Sequence, residues 1–108
     1  MKLTPAQNRA MHLYLRKLAN ALNDAGFSVM KVMKHDAEIP WSEKLAKELL
    51  WREVQLAMEK EWSTQNLERL EVDEVYKVVD RYITKATKGA VSIPFPDRYE
   101  LMNEQSEQ

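Results

Sequence analysis

The stretch TPAQNRAMHLYLRKLANALNDAG, residues 4–26, decides the architecture of this chain. Thr4 is a suitable N-cap, and Pro5 suits the first helical position, where a missing backbone donor costs little. Gly26 can adopt the left-handed conformation that ends a helix. Apolar residues recur between them at three- and four-residue steps: Met11, Tyr14, Leu15, Leu18, Leu22 and Ala25. The pattern predicts an amphipathic helix over residues 4–25, whose apolar face must pack against the rest of the chain.

A second long helix is predicted over residues 42–59, with Ser42 as its N-cap. Its apolar stripe is formed by Leu45, Leu49, Val54, Ala57 and Met58. Leu50 and Trp51 widen this stripe to more than one face. A helix this apolar in a chain of 108 residues either sits centrally or shares its second side with another subunit.

A third helix is predicted over residues 71–88, and Gly89 is expected to end it. Its apolar residues keep to one face: Val72, Val75, Tyr76, Val79, Tyr82, Ile83 and Ala86. Acidic residues stand at its start and lysines at its end, which suits the helix dipole.

The remaining segments are shorter or extended. Residues 27–34 are expected to form a short helix with Ser28 as its cap. Residues 91–96 must be extended because Pro94 and Pro96 restrict the backbone, and this arm lays Ile93 and Phe95 on a groove of its own chain or of a neighbour. The predicted fold is all-α: a small bundle of three main helices with a short extra helix and an extended Pro-rich C-terminal arm. One domain is expected over residues 1–99, followed by a flexible acidic tail over residues 100–108.

The composition excludes several classes of function. The chain has no cysteine, which rules out disulfides, thiolate catalysis and cysteine zinc sites. No apolar run approaches the roughly 20 residues that span a bilayer, so a soluble protein without membrane contact is expected. Its expected location is the cytoplasm.

No enzyme signature is present in the sequence. His12 and His35 are the only imidazoles, and a lone His without convergent partners is usually a structural residue. Zinc-protease motifs, Gly-rich phosphate loops and nucleophile elbows do not occur, and both glycines follow helices. We therefore predict a non-catalytic protein, with no catalytic residues, no metal ligands and no cofactor.

Charge is distributed unevenly along the chain. Residues 1–34 contain six basic residues and one acidic residue, whereas residues 61–108 contain six basic and ten acidic residues. The asymmetry fits a solvated surface that is simply uneven, a positive N-terminal face that contacts nucleic acid, or a charge-complementary self-association.

Two sets of polar and basic residues are candidates for nucleic-acid or partner binding. On the third helix, Lys77, Arg81, Lys85 and Lys88 fall at i, i+4, i+8 and i+11, so they line one edge and could follow phosphates. The first helix carries Gln7, Asn8, Arg9, Arg16 and Lys17. Their guanidinium, ammonium and amide groups suit contact with the DNA backbone or with base edges. Each set has a structural alternative, because basic residues late in a helix complement its dipole and amides in a first turn cap it.

Four aromatic residues could offer stacking surfaces to unpaired bases: Tyr14, Trp41, Trp51 and Trp62. The alternative is that they fill the core, as tryptophans in small domains usually do.

Residues 3–12, Leu3-Thr4-Pro5-Ala6-Gln7-Asn8-Arg9-Ala10-Met11-His12, resemble the start of a helix in the NinB family of phage recombination proteins, also called Orf. The Ser63-Thr64 turn followed by Leu67, and the closing Ile93-Pro94-Phe95-Pro96, are similar to later parts of that family. The chain also resembles other small proteins encoded in phage recombination and replication regions. Membership in the family implies a homodimeric mediator that binds single-stranded DNA, contacts single-strand-binding protein and helps a recombinase to load. It makes Gln7, Asn8 and Arg9 candidates for DNA or subunit contact.

Three hypotheses follow. The first is a phage accessory protein of recombination or replication that binds single-stranded DNA or single-strand-binding protein. The second is a protein-interaction module that binds or inhibits a host enzyme without touching nucleic acid. The third is a structural subunit that oligomerises through the second helix, and self-association is also expected under the first hypothesis.

Overall fold

The computed structural model describes residues 5–33, 38–61 and 72–96. These residues form α1 (Pro5–Asp24), α2 (Val29–Met33), α3 (Glu43–Ala46), a π-helical turn (Lys47–Trp51), α4 (Arg52–Glu61) and α5 (Val72–Ala86). No strand occurs among them. The predicted all-α bundle is therefore confirmed. Trp62, the Ser63-Thr64 turn and the tail from residue 97 onward lie outside the described residues.

Helix α1 ends as its sequence predicts. Gly26 adopts φ +81°, and its N–H donates to the carbonyl of Asn23 at 3.0 Å. The N–H of Phe27 donates to the carbonyl of Leu22 at 2.8 Å. This pair of bonds is the Schellman arrangement, which satisfies carbonyls that a helix end leaves free. Ala25, placed on the apolar face by its spacing, lies after the last helical residue and is exposed.

The second predicted helix is present but contains an unpredicted irregularity. Ser42 caps it as expected, because its hydroxyl accepts the N–H of Leu45 at 3.1 Å. The helix then passes through the π-helical turn, where the wider ring adds a residue and rotates everything that follows. Leu50 and Trp51, within the turn, are buried, whereas Ala57, which follows the turn and which the sequence predicts to be buried, is exposed.

The core lies where α1 packs against the π-helical turn, α3 and α5. Its completely buried large side chains come from all three long helical segments: Tyr14, Leu15, Leu18, Leu22, Val75, Val79 and Ile83, with Trp51 at 1% exposure. Two sequence predictions for residues near this core are wrong. Ser28 does not cap α2, because its buried hydroxyl has no hydrogen-bond partner, and Tyr82 is exposed instead of buried.

Helix α5 ends one residue earlier than Gly89 would suggest. The left-handed residue that closes it is Lys88, at φ +53°, and Gly89 follows at φ +82°. The N–H of Gly89 donates to the carbonyl of Thr84 at 2.8 Å, and that of Lys88 donates to Lys85 at 3.3 Å. Lys88 is thus part of the turn and not of the helix.

The C-terminal arm, residues 90–96, folds back onto its own chain. Phe95 packs against Tyr14, Trp51 and Tyr76. The groove that the sequence predicts for Phe95 therefore belongs to the same molecule.

Candidate nucleic-acid interface

Three of the predicted binding residues form a row on α5. Lys77, Arg81 and Lys85 are all exposed and are separated by four residues each. A rise of 1.5 Å per residue puts successive cations roughly 6 Å apart along the helix axis and spreads the row over about 12 Å. We call these three residues the basic strip. Their spacing suits contact with successive phosphates of a nucleic-acid backbone.

The basic strip borders a groove on the surface of α5 with a volume of about 560 Å³. The groove is lined by Tyr76, Lys77, Asp80, Arg81, Thr84 and Lys85. Two of these residues hold the arm: Tyr76 donates its hydroxyl to the carbonyl of Ile93 at 3.0 Å, and Asp80 accepts the hydroxyl of Ser92 at 3.2 Å. The arm therefore borders the groove next to the basic strip.

Carboxylates on the same helix reduce the positive charge of the strip. Asp73 pairs with Lys77 at 3.0 Å, and both side chains are well exposed. An exposed i,i+4 pair of this kind is worth only about 0.3–0.5 kcal/mol, so a phosphate can compete for the lysine. Glu74 lies three residues before Lys77 and seven before Arg81 on the same side of α5, so with Asp80 included three cations face three carboxylates and the strip has no net positive charge.

Lys88 does not continue the strip as predicted. It lies two residues beyond Ala86, the last residue of α5, in the left-handed turn. Lys88 also does not line the groove. The predicted i+11 position therefore requires a helix longer than the one present.

The candidates on α1 form a separate surface that does not line the groove. Asn8, Arg9 and Arg16 are exposed, whereas Gln7 and Lys17 are half-buried. Arg9 and Arg16 are seven residues apart, close to two helical turns, so they share one side of α1. Gln7, Arg16 and Lys17 each already engage another group of the protein.

The aromatic residues predicted as possible stacking surfaces are core residues wherever the structure describes them. Tyr14, Trp41 and Trp51 are all at most 4% exposed. The core alternative is thus correct for these three. These three rings are covered and cannot stack on bases in this structure, which leaves phosphate contact by the basic strip as the better-supported mode of binding.

Burial also changes the tyrosine acidities near the groove. It raises the pKa of Tyr14 far above the ordinary value, and the nearby Asp80 raises it further. Burial and then Asp80 likewise raise the pKa of Tyr76. Both phenols are therefore neutral at physiological pH, and Tyr76 acts as a hydrogen-bond donor.

The described residues hold little that resembles a catalytic centre. The Nδ1 atom of His12 lies 3.7 Å from Glu43 at a half-exposed position, which links α1 to α3. His35 lies outside the described residues. Within residues 5–33, 38–61 and 72–96, no group of His, Asp and Glu residues could hold a metal ion.

An apolar groove, not anticipated from the sequence, lies on another side of the molecule. It has a volume of about 210 Å³ and is lined by Met33, Leu49, Leu50, Glu53, Val54, Ala57 and Tyr82. Leu56 is 50% exposed and Tyr82 is 42% exposed. The sequence signal for this groove is the width of the apolar stripe on the second helix, but the π-helical turn decides which residues face outward.

Comparison with known proteins finds no relative: no family model matches this chain, and neither a curated protein nor a solved structure does. The resemblance to the NinB family therefore remains a hypothesis based on the residues quoted above. Among the described helices, none has the length and hydropathy needed to cross a membrane.

Proposed function

We propose that this protein is a non-catalytic accessory factor of phage DNA recombination or replication that binds single-stranded DNA through its phosphates. The observation that supports this most is the basic strip, which brings Lys77, Arg81 and Lys85 to the edge of one groove. The resemblance of residues 3–12 to the NinB family supplies the biological setting.

Contact with phosphates would make the affinity strongly dependent on salt. Three phosphates neutralised on a single strand release counterions, and the logarithm of the association constant then falls with a slope of about −2 against the logarithm of the salt concentration. Affinity should therefore drop about 15-fold between 50 and 200 mM salt.

The test is a fluorescence-anisotropy titration of a labelled single-stranded oligonucleotide. Reversal of the strip in one variant, Lys77→Glu, Arg81→Glu and Lys85→Glu, should abolish binding and leave the helical circular dichroism spectrum intact. The matched control reverses three exposed cations elsewhere, Lys31→Glu, Lys44→Glu and Arg52→Glu, and changes the net charge equally. Equal losses in both variants would contradict a specific role of the strip.

A third variant tests the other predicted surface. If α1 shares the contact, reversal of Arg9, Arg16 and Lys17 weakens binding as well. Unchanged affinity in this variant would remove α1 from the interface and leave α5 as the binding surface.

A protein-interaction module is the second candidate, and the apolar groove favours it. The exposed Leu56 and Tyr82 and the apolar lining beside them are the kind of surface that protein partners cover. Co-purification from expressing cells should then recover one host protein, and Ala57→Asp, at an exposed residue that lines the groove, should abolish that recovery. Loss of oligonucleotide binding in the strip variant would instead favour the first candidate.

A further inference from the structure

The arm is held by a cluster of rings that we call the aromatic site: Tyr14, Trp51 and Tyr76. The ring of Phe95 lies 5.3 Å from that of Tyr76, 5.9 Å from Tyr14 and 6.4 Å from Trp51, measured between centroids. Its plane is inclined by only 24° to that of Trp51. Contacts at these distances and angles stabilise beyond the burial of the rings alone.

Hydrogen bonds and prolines make the arm a preformed ligand. The bonds are those from Tyr76 to Ile93 at 3.0 Å and from Ser92 to Asp80 at 3.2 Å. Pro94 fixes its own backbone angle and biases Ile93 toward an extended conformation. The arm therefore loses little conformational entropy when it docks, whether the aromatic site belongs to its own chain or to another copy.

The turn that connects the arm to α5 is conformationally costly. Lys88 and Gly89 are consecutive left-handed residues, at φ +53° and +82°. Glycine accepts this conformation freely, but Lys88 carries a Cβ atom that opposes it. Extending the turn would release this cost, although it would also break the hydrogen bonds that Gly89 and Lys88 make to Thr84 and Lys85.

We propose that the arm exchanges between two copies of this chain, so that Phe95 of one molecule occupies the aromatic site of the other. Each contact between the arm and the aromatic site can form equally well between chains, as can the hydrogen bond that Ile93 accepts from Tyr76 and the one that Ser92 donates to Asp80. Apart from the turn, and the hydrogen bond that the N–H of Val91 donates across it to the Thr87 hydroxyl at 3.1 Å, nothing has to change, which is the condition under which swapping is a low-cost route to a dimer. The short connection gives docking within one chain an effective concentration in the millimolar range, so exchange should increase with protein concentration.

The absence of cysteine from the chain permits a direct test. A variant with Asp80→Cys is mixed with a mass-tagged variant with Ser92→Cys, and a short bismaleimide reagent then joins thiols that lie close together. A mixture of Asn20→Cys and the tagged Ser92→Cys chain measures random collisions, since Asn20 is exposed on α1. Exchange predicts a covalent heterodimer at least about tenfold above this control, with a yield that rises with concentration.

A heterodimer yield no higher than in the collision control would overturn the proposal. A single chain carrying both Asp80→Cys and Ser92→Cys establishes that the reagent reaches the two positions, because it should cross-link internally at low concentration.

Two changes at the turn should shift the exchange in opposite directions. Lys88→Gly removes the Cβ conflict, favours the closed turn and should lower the heterodimer yield about fivefold. Lys88→Pro cannot adopt a positive φ and should raise the yield. If both variants give the heterodimer yield of the parent chain, the conformation of Lys88 does not control the arm, and the role proposed for the turn is wrong.

Discussion

The side-chain amide of Asn23 pairs with the backbone of Trp41 through two hydrogen bonds of 2.7 Å each. Its Nδ2 atom donates to the carbonyl of Trp41, and its Oδ1 atom accepts the N–H of Trp41. Asn23 lies in the last turn of α1, and Trp41 directly precedes Ser42, the cap of α3. One side chain therefore fixes the start of the second long helix against the end of the first.

Replacing Asn23 by Ala should lower the free energy of unfolding by about 2 kcal/mol, because it leaves two backbone groups of a buried residue unpaired. Urea denaturation measures this loss. Asn20→Ala, one helical turn earlier at an exposed position, is the control and should change stability by less than about 0.5 kcal/mol. Similar losses in the two variants would mean that the pairing with Trp41 contributes little.

The Asn23 pairing also shows what sequence patterns do not contain. Periodicity and capping rules locate α1, the start at Ser42 and the apolar face of α5, because these depend on neighbours three or four residues apart. A bond between residues 18 positions apart depends on how two helices meet. No local pattern identifies Asn23 as the residue that joins them.

Two sequence predictions are wrong because the backbone departs from a regular α-helix. The π-helical turn rotates the apolar stripe of the second helix, so Ala57, predicted to be buried, faces outward and lines part of an apolar groove. Lys88 adopts a left-handed conformation that its side chain disfavours, so the basic strip ends at Lys85. The strip itself was predictable, since Lys77, Arg81 and Lys85 need only a regular helix.

The two tyrosines near Phe95 should respond oppositely to loss of their hydroxyl groups. Tyr14 is buried and its hydroxyl has no hydrogen-bond partner, so Tyr14→Phe should raise the free energy of unfolding by about 1 kcal/mol. Tyr76 donates to Ile93, so Tyr76→Phe should lower it by about 1 kcal/mol. Chemical denaturation of both variants provides the comparison, and a destabilised Tyr14→Phe variant would contradict it.

Stability should fall at alkaline pH because of the same tyrosines. Their pKa values are raised in the folded protein, so the unfolded chain loses its phenolic protons first, near pH 10. Above that pH the unfolded state binds fewer protons, so the free energy of unfolding decreases, by up to about 1.4 kcal/mol per pH unit through the buried Tyr14 and by less through the more exposed Tyr76. Denaturation curves at pH 8 to 11 should show a weaker decline in Tyr14→Phe, and an identical decline would assign the effect to other groups.

Substitutions at Gly26 and Lys88, the left-handed residues that end α1 and α5, should have opposite effects on stability. Gly26→Ala should destabilise the protein by about 1 kcal/mol through backbone strain alone, because an added Cβ would meet no atom within 4 Å. Lys88→Gly should stabilise by a similar amount, since it removes such strain. Thermal denaturation of both variants measures the signs, and equal signs would contradict this account of the turns.

The most direct measurement of the proposed function is the salt dependence of oligonucleotide affinity in the parent chain and in Arg81→Gln. Each phosphate contact on a single strand contributes about −0.7 to the slope, so the parent should show about −2 and the variant about −1.3. The matched variant Arg52→Gln, on α4, should keep the parent slope. An unchanged slope in Arg81→Gln, or no binding by the parent chain at low salt, would contradict phosphate binding by the basic strip.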